Sequence, residues 1–176
     1  MQSVKIVTTG PAGAGKTTFI RSVSEITVLS TERQVTEASG QGSAEATVAM
    51  DFGRVTITDD IVLYLFGAPG RSQFTSMWQT LAEGMLGFVL LLDADDVDRA
   101  ETLEMAEFLG KKSDVPFVVA VNRLSPDHGE EIQEFRRSLG LSDQVKVIPT
   151  DVRDRDSVRD VLLALLDTAL TRISLG

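Results

Sequence analysis

Between residues 10 and 17 the chain reads GPAGAGKT, which matches the pattern G-x-x-x-x-G-K-[ST] at every fixed position. An apolar run at residues 4–8 precedes the match, and a helical pattern at residues 16–24 follows it. Glycine lets the backbone curl so that successive N–H groups point into one concavity, and the following helix N-terminus adds partial positive charge. A strand, a glycine-rich turn and a helix in this order predict a loop that binds phosphate groups.

The residue types within this loop assign roles to individual positions. In such loops the lysine reaches the β- and γ-phosphates, and the hydroxyl that follows it binds Mg²⁺. Lys16 is therefore a candidate catalytic residue as well as a phosphate ligand, and Thr17 is a candidate metal ligand. The residues of this segment expected to bind the nucleotide are Gly10, Ala12, Gly13, Ala14, Gly15, Lys16, Thr17 and Thr18. The pattern indicates a nucleoside triphosphate with Mg²⁺, but it specifies neither the base nor the reaction.

Composition and charge narrow the class of protein. The 176 residues include 17 Lys and Arg against 26 Asp and Glu, for a net charge of −9, with one His and no Cys. We expect a single domain over residues 1–176, and no nucleic-acid binding, because that needs a basic surface. Thiolate metal sites and disulfides are excluded. With no apolar run of membrane-spanning length, no signal pattern and no lipidation motif, the expected location is the cytoplasm, without a membrane anchor of its own.

Short apolar runs alternate with amphipathic helical patterns along the chain. Runs at residues 86–93, 117–121 and 145–148 are typical of strands buried on both faces of a parallel sheet. Residues 54–58 and 61–66 predict a hairpin, and helical patterns cover residues 103–109, ended by Gly110, 132–139, and 158–173 with Asp154 as N-cap. These patterns predict an α/β fold with a mostly parallel six-stranded sheet, one antiparallel edge strand and helices on both faces. Residues 27–46 have little apolar periodicity and are expected to form a long connecting loop.

Three further segments, each after a predicted strand, extend the pattern of the phosphate-binding loop. Residues 66–70 read FGAPG, residues 122–125 read NRLS, and residues 150–153 read TDVR. In order and spacing these motifs resemble those of Ras-superfamily small GTPases, which carry Asp-x-x-Gly, Asn-Lys-x-Asp and a Ser-Ala-Lys type loop. The resemblance implies a P-loop NTPase with a Ras-like three-layer sandwich that binds GTP or GDP, with switch I at about residues 27–47 and switch II at about residues 67–80.

Two stretches point to one group within this superfamily. TVAMDFG at residues 47–53 and LYLFGAPG at residues 63–70 are similar to bacterial small GTPases found with roadblock-type proteins, among them the conservon GTPases and, more distantly, the gliding-motility polarity GTPase. The resemblance implies a nucleotide-dependent switch with a roadblock/LC7 protein as its regulator. It makes Thr47 the switch I threonine, a candidate catalytic residue and Mg²⁺ ligand, with Thr31 and Thr36 competing for that role. It also assigns nucleotide contacts to Gly70, Asn122, Arg123, Asp151 and Val152.

Two departures from the superfamily pattern concern the metal and catalysis. Gly67 stands where an aspartate usually holds Mg²⁺ through water. Asp51 is a candidate replacement, because its strand is expected to pair beside that of Gly67; the alternative is a solvent-facing strand residue. Arg71 stands where a glutamine usually orients the attacking water, so intrinsic hydrolysis is expected to be slow. Arg71 is itself a candidate catalytic residue that stabilises γ-phosphate charge, the alternative being a solvated arginine.

A third departure concerns the base. Ser125 stands where the superfamily has an aspartate that accepts two hydrogen bonds from guanine, and a hydroxyl is a weaker, uncharged acceptor. Asp127 is expected either to replace that aspartate or to cap the next helix. Guanine is the expected base, with weakened selectivity. The alternative function is a nucleotide-binding interaction protein, a relaxed ATP or GTP binder with little or no hydrolysis. The acids that follow another strand are expected to be solvated: Asp93, Asp95, Asp96 and Asp98.

Overall fold

In the described part of the chain, seven strands form one sheet in the order β2-β3-β4-β1-β5-β6-β7. The computed structural model describes residues 2–39, 42–68, 81–95, 99–112, 115–125 and 127–175; residues 31–39, 42–49, 99, 106, 109–112, 173 and 175 are described through their backbone alone. The strands are β1 (Gln2–Thr9), β2 (Leu29–Ser39), β3 (Gly42–Thr58), β4 (Ile61–Gly67), β5 (Met85–Asp93), β6 (Phe117–Asn122) and β7 (Val147–Thr150).

Five neighbouring strands of this sheet are parallel. β1 pairs with β4 on one side and with β5 on the other, and β6 continues the parallel series from β5 to β7. β3 runs antiparallel to β4 and to β2. The expected α/β class and mostly parallel sheet with an antiparallel edge are therefore confirmed, and so is the hairpin of residues 54–66, which β3 and β4 form.

The sheet has one strand more than the six expected, because residues 27–46 do not form a connecting loop. β2 pairs with β3 from Leu29↔Phe52 to Ser39↔Gly42, so this segment is a long two-stranded hairpin that adds the edge strand β2. The sequence of the hairpin is polar, and alternation of apolar residues is what identifies a strand that packs on a core. The hairpin of β2 and β3 is held by main-chain hydrogen bonds, which leave no apolar alternation in the sequence.

Four helices lie wholly within the described residues, and they cover both faces of the sheet: α1 (Lys16–Val23), α2 (Arg99–Lys112), α3 (Gly129–Ser138) and α4 (Arg155–Leu175). α4 begins at Arg155 with Asp154 as its N-cap, since the Asp156 N–H donates to Asp154 Oδ1 at 3.2 Å. Gly110 does not end α2, which continues to Lys112. None of the helices in the described ranges combines the length and the apolar character needed to cross a membrane.

Alternate residues of the central strands pack against different helices. Ile6, Val89 and Val118 belong to the cluster that includes Phe19 of α1 and Leu165 of α4. Their neighbours along the strands belong to a second cluster on the opposite face, with Met105 of α2 and Phe135 of α3: Val7, Leu90 and Val119. This is the three-layer arrangement, and it explains why β1, β5 and β6 read as continuous apolar runs.

Candidate functional site

The described parts of four segments singled out in the sequence, at residues 10–17, 66–68, 122–125 and 150–153, lie at the same edge of the sheet. β1 ends at Thr9, β4 at Gly67, β5 at Asp93, β6 at Asn122 and β7 at Thr150, and these strands are parallel. The carboxyl ends of parallel strands meet at one edge, which is where open α/β sheets bind their ligands.

The glycine-rich loop between β1 and α1 has the backbone that its sequence predicts. Gly10, Gly13 and Gly15 have φ values of 152°, 81° and 102°, in the region that glycine adopts without strain. Gly10 also packs closely on β5: a Cβ there would lie 2.0 Å from the Leu91 carbonyl oxygen. Ala14 is buried, whereas Ala12 and Gly13 are exposed at the outer turn. The loop therefore curls over the end of β1 and leads into α1.

Lys16 folds back across this loop. Its Nζ donates hydrogen bonds to the carbonyl oxygens of Gly10, at 2.6 Å, and Pro11, at 2.8 Å. Burial lowers the pKa of Lys16 to about 8, although the charges of Glu101 and Asp51 act in the opposite direction. The ammonium group is thus held over the loop, partly buried, where a bound anion would stabilise its positive charge. Thr18 lies next to it in the first turn of α1.

Asp51 lies against Thr17, at the position that the sequence assigns to a metal. The Thr17 hydroxyl donates to Asp51 Oδ2, and the Ser30 hydroxyl donates to Asp51 Oδ1 at 2.5 Å. Asp51 pairs directly with Gly67 across β3 and β4, and it is 9% exposed, so it is not a solvent-facing strand residue. Hard oxygen donors of this kind suit Mg²⁺.

The backbone of Thr47 lies away from this group. Thr47 lies in β3, paired with Gln34, four residues before Asp51, which is about 13 Å along an extended strand. The structure describes only its backbone. Its role as metal ligand and catalytic residue stays a prediction. Among the described side chains of the hairpin, Ser30 reaches Asp51, and sequence reasoning did not single it out.

Asn122, at the end of β6, connects the loop of residues 150–153 to the glycine-rich loop. Its Oδ1 accepts a hydrogen bond from the Val152 N–H at 3.4 Å. Its Nδ2 would lie 3.5 Å from a Cβ added at Gly15, and the Val152 side chain would lie 3.1 Å from the same point. Asn122 and Val152 are buried. The two loops are therefore packed together.

Arg123 is bound by a buried carboxylate, that of Asp93. Its Nε donates to Asp93 Oδ1 at 3.0 Å, a second guanidinium nitrogen donates to Asp93 Oδ2, and Asp95 lies 3.6 Å from Nε. Burial opposes the charge of Asp93, but the hydrogen bonds from Arg123 and the Asp95 N–H outweigh it and hold the pKa of Asp93 below its usual range. Asp93 is thus a buried partner and not a solvated acid, and Arg123 adopts a left-handed φ of 61° beside it.

Ser125 is bonded to the first turn of α3. Its hydroxyl donates to Glu131 Oε1, and its N–H lies 3.5 Å from Glu131 Oε2. Asp127 is exposed, and its carbonyl oxygen lies 3.4 Å from the Ser125 hydroxyl. The expectation that Asp127 caps the helix is wrong, because the N-cap of α3 is His128, which makes no side-chain capping hydrogen bond.

A cleft of about 430 Å³ opens between the ends of β6 and β7. Asp151 forms one of its walls, and its carboxylate accepts hydrogen bonds from the backbone and guanidinium of Arg153 at 3.0 Å. The Arg153 hydrogen bonds lower the pKa of Asp151. The residues that line the cleft include Asn122, Arg123, Ser125, Thr150, Asp151 and Arg153.

Two predicted site residues, Gly70 and Arg71, lie outside the described residues, as does most of the segment expected to be switch II. Of the rest, the structure brings Lys16, Thr17 and Asp51 together, and it places Asn122 and Val152 beside Gly15. Three side chains that the sequence did not assign to the site contact its described residues: Ser30, Asp93 and Glu131. The sequence signal for Asp93 is an acid at the end of a strand, and the signal for Glu131 is an acid in the first turn of a helix.

Comparison with models of known protein families identifies a family for this chain. The model of a family described as "Conserved hypothetical ATP binding protein" matches residues 8–172, which is nearly the whole chain. The match includes the glycine-rich loop, Asp51, and the loops at the ends of β6 and β7.

Proposed function

We propose a function for this chain, which belongs to the family of conserved hypothetical ATP-binding proteins and is a nucleotide-binding protein of the P-loop type. It acts as a nucleotide-dependent switch with slow intrinsic hydrolysis of GTP. The observation that carries the proposal is the position of Lys16 over the glycine-rich loop, with the Thr17 and Asp51 side chains bonded beside it. This is the arrangement that a Mg²⁺-bound triphosphate requires.

Thr17 and Asp51 fit a magnesium ion, because they place a hydroxyl and a carboxylate oxygen side by side next to the loop. These two residues would hold Mg²⁺, which when bound supplies positive charge to the β- and γ-phosphates. Lys16 contributes a second positive charge to the same phosphates. The residues of this chain thus provide the electrostatic stabilisation on which phosphoryl chemistry depends.

Support for a switch comes from the hairpin of β2 and β3. Ser30 of β2 bonds to Asp51, so the hairpin contacts one of the proposed metal ligands. Segments that respond to the γ-phosphate and its metal are the usual switches of nucleotide-binding proteins. The resemblance of residues 47–53 and 63–70 supports a roadblock/LC7 protein as the regulator that reads this state.

A second candidate function is a relaxed ATP or GTP binder with little hydrolysis. Ser125 supplies a hydroxyl where an aspartate would select guanine, and the family description names ATP. Arg71 also has no acceptor with which to orient a water molecule.

Calorimetric titration of nucleotide-stripped protein with GTP, GDP, ATP and ADP, with and without Mg²⁺, separates the two candidates. The GTP switch requires a strong preference for guanine and a contribution from Mg²⁺. Equal or better binding of ATP would favour the second candidate. Lys16→Ala is the control, because loss of its charge should abolish triphosphate binding.

Single-turnover hydrolysis with and without a roadblock/LC7 partner tests the enzymatic part of the proposal. We expect slow phosphate release that Arg71→Gln accelerates, since glutamine can orient water. The absence of phosphate release in both conditions, despite tight nucleotide binding, would exclude a GTPase.

A further inference from the structure

We propose that Glu131 gives this site its preference for guanine by fixing the hydroxyl hydrogen of Ser125, so that Ser125 presents only a hydrogen-bond acceptor to the base. The proposal rests on the proposed nucleotide-binding function and names the residues that choose the base. Ser125 is the group that contacts the base, and Glu131 is a positioning residue.

The position of the base follows from the location of the cleft. A nucleoside attached to phosphates in the glycine-rich loop must extend into a neighbouring space. Asn122 both lines the cleft of about 430 Å³ and lies beside Gly15 of that loop. The cleft is therefore next to the phosphate position, and Ser125 is part of its wall.

The direction of the Ser125 hydrogen bond follows from the chemistry of its partners. An ionised carboxylate can only accept, so Ser125 must donate its single hydroxyl hydrogen to Glu131 Oε1. The other nearby acceptor, the carbonyl oxygen of Asp127 at 3.4 Å, belongs to the same loop. Both partners draw the hydrogen away from a ligand, and the Ser125 oxygen keeps its lone pairs for one.

An oxygen that can only accept distinguishes the two purines. Guanine carries N–H donors at N1 and at its 2-amino group, whereas adenine presents a lone pair at N1 and no amino group at C2. The Ser125 oxygen can accept a hydrogen bond from guanine, but it faces a second acceptor when adenine is bound. Two acceptors that face each other leave both polar atoms without a hydrogen bond, and this lowers the affinity for adenine.

Glu131 also has an ordinary structural role as an acid in the first turn of α3. Glu130 shares that turn and that charge, and it is exposed. Glu131→Gln is therefore the test variant and Glu130→Gln its matched control. The glutamine amide can donate to Ser125 and turn the hydroxyl hydrogen toward the cleft, while the control removes the same charge without this contact.

The measurement is the affinity of nucleotide-stripped protein for GTP and for ATP, each with Mg²⁺, by calorimetry. We expect the wild-type protein to prefer GTP, Glu131→Gln to reduce the GTP-to-ATP affinity ratio by about tenfold, and Glu130→Gln to leave it unchanged. Ser125→Ala should reduce the ratio to a similar extent, and the double variant should lose no more than Ser125→Ala alone.

Several outcomes would overturn the inference. A purely structural Glu131 would weaken GTP and ATP equally and leave the ratio as it is. A wild-type protein that binds both triphosphates tightly without preferring GTP would also exclude base selection by Ser125 and Glu131, while leaving the phosphate and metal residues in place. Failure to bind either triphosphate would instead contradict the proposed function itself.

Discussion

Asp51 and Gly67 face each other across β3 and β4. The lack of room for a side chain at Gly67 and the carboxylate supplied by Asp51 are therefore two sides of one arrangement. A Cβ at Gly67 would lie 3.2 Å from the Asp51 Cβ and 2.9 Å from Ile20 Cδ1, so this position has little room for a side chain. The carboxylate beside Thr17 comes from β3 instead. A sequence comparison that checks only the position of Gly67 would conclude that the site lacks its acid.

Replacement of Asp51 by asparagine should weaken the contribution of Mg²⁺ to nucleotide binding. Asparagine keeps the shape and can still accept from Thr17, but it loses the negative charge that a divalent cation needs. We expect the ratio of triphosphate affinities with and without Mg²⁺ to fall by about tenfold or more. Titrations in Mg²⁺ and in chelator measure this ratio. Asp59→Asn, in the exposed turn between β3 and β4, is the control and should leave it unchanged.

Lys16 should make nucleotide affinity dependent on pH. Its pKa in the free protein is about 8, so the cationic form that attracts phosphate is lost as the pH rises above that value. Affinity should be constant below pH 8 and should then fall by up to about tenfold per pH unit, because the lysine must take up a proton on binding. Titrations between pH 7 and 9.5 test this dependence. In Lys16→Arg the guanidinium stays charged, and an equal slope there would assign the effect to another group.

At the scale of elements, the sequence predicts what is buried more reliably than what is hydrogen-bonded. The runs that became β1, β5 and β6 are apolar on both faces because helices cover both sides of the sheet. The hairpin of β2 and β3 was not predicted, since its polar sequence has no apolar alternation to mark it.

The same distinction applies within the site. The glycine-rich loop could be predicted because its backbone demands particular residue types at fixed spacing. The pairs Arg123–Asp93 and Ser125–Glu131 could not, because each depends on how a strand end or a helix turn faces a neighbouring loop. Spacing along the chain does not encode that orientation.

Gly10 tests how closely the loop must approach β5. A methyl group there would lie 2.0 Å from the Leu91 carbonyl oxygen, which is a backbone atom and cannot turn aside as the end of a side chain can. Gly10→Ala should therefore lower the free energy of unfolding by about 2–3 kcal/mol, and urea denaturation measures it. Gly129→Ala, at the first residue of α3 with nothing within 4 Å of the added carbon, should change it by less than about 1 kcal/mol. Equal effects of the two substitutions would contradict the close approach.

For the whole molecule, the proposed nucleotide site joins segments from most of the chain. Its residues come from the ends of five strands, from α1, and from the edge hairpin. Unfolding separates these segments, so a ligand at this site binds the folded protein and not the unfolded chain. Nucleotide binding should therefore stabilise the protein as a whole.

A thermal unfolding experiment measures this linkage. A triphosphate with Mg²⁺ at 100 times its Kd adds about 2.7 kcal/mol to the free energy of unfolding, which corresponds to a rise in Tm of roughly 5–11 °C for a protein of this size. Lys16→Ala should show no rise at the same concentration. A comparable rise in that variant would mean that the nucleotide binds somewhere other than the glycine-rich loop.

The placement of Asp51 on β3 has a mechanical consequence. β3 is a continuous strand of 17 residues, and its hairpin end at Gly42 lies nine residues before Asp51. Nine residues of extended chain span about 30 Å. A tilt of the strand by a few degrees at Asp51 would therefore displace the hairpin end by ångströms, a change that a partner protein could detect without contacting the phosphates.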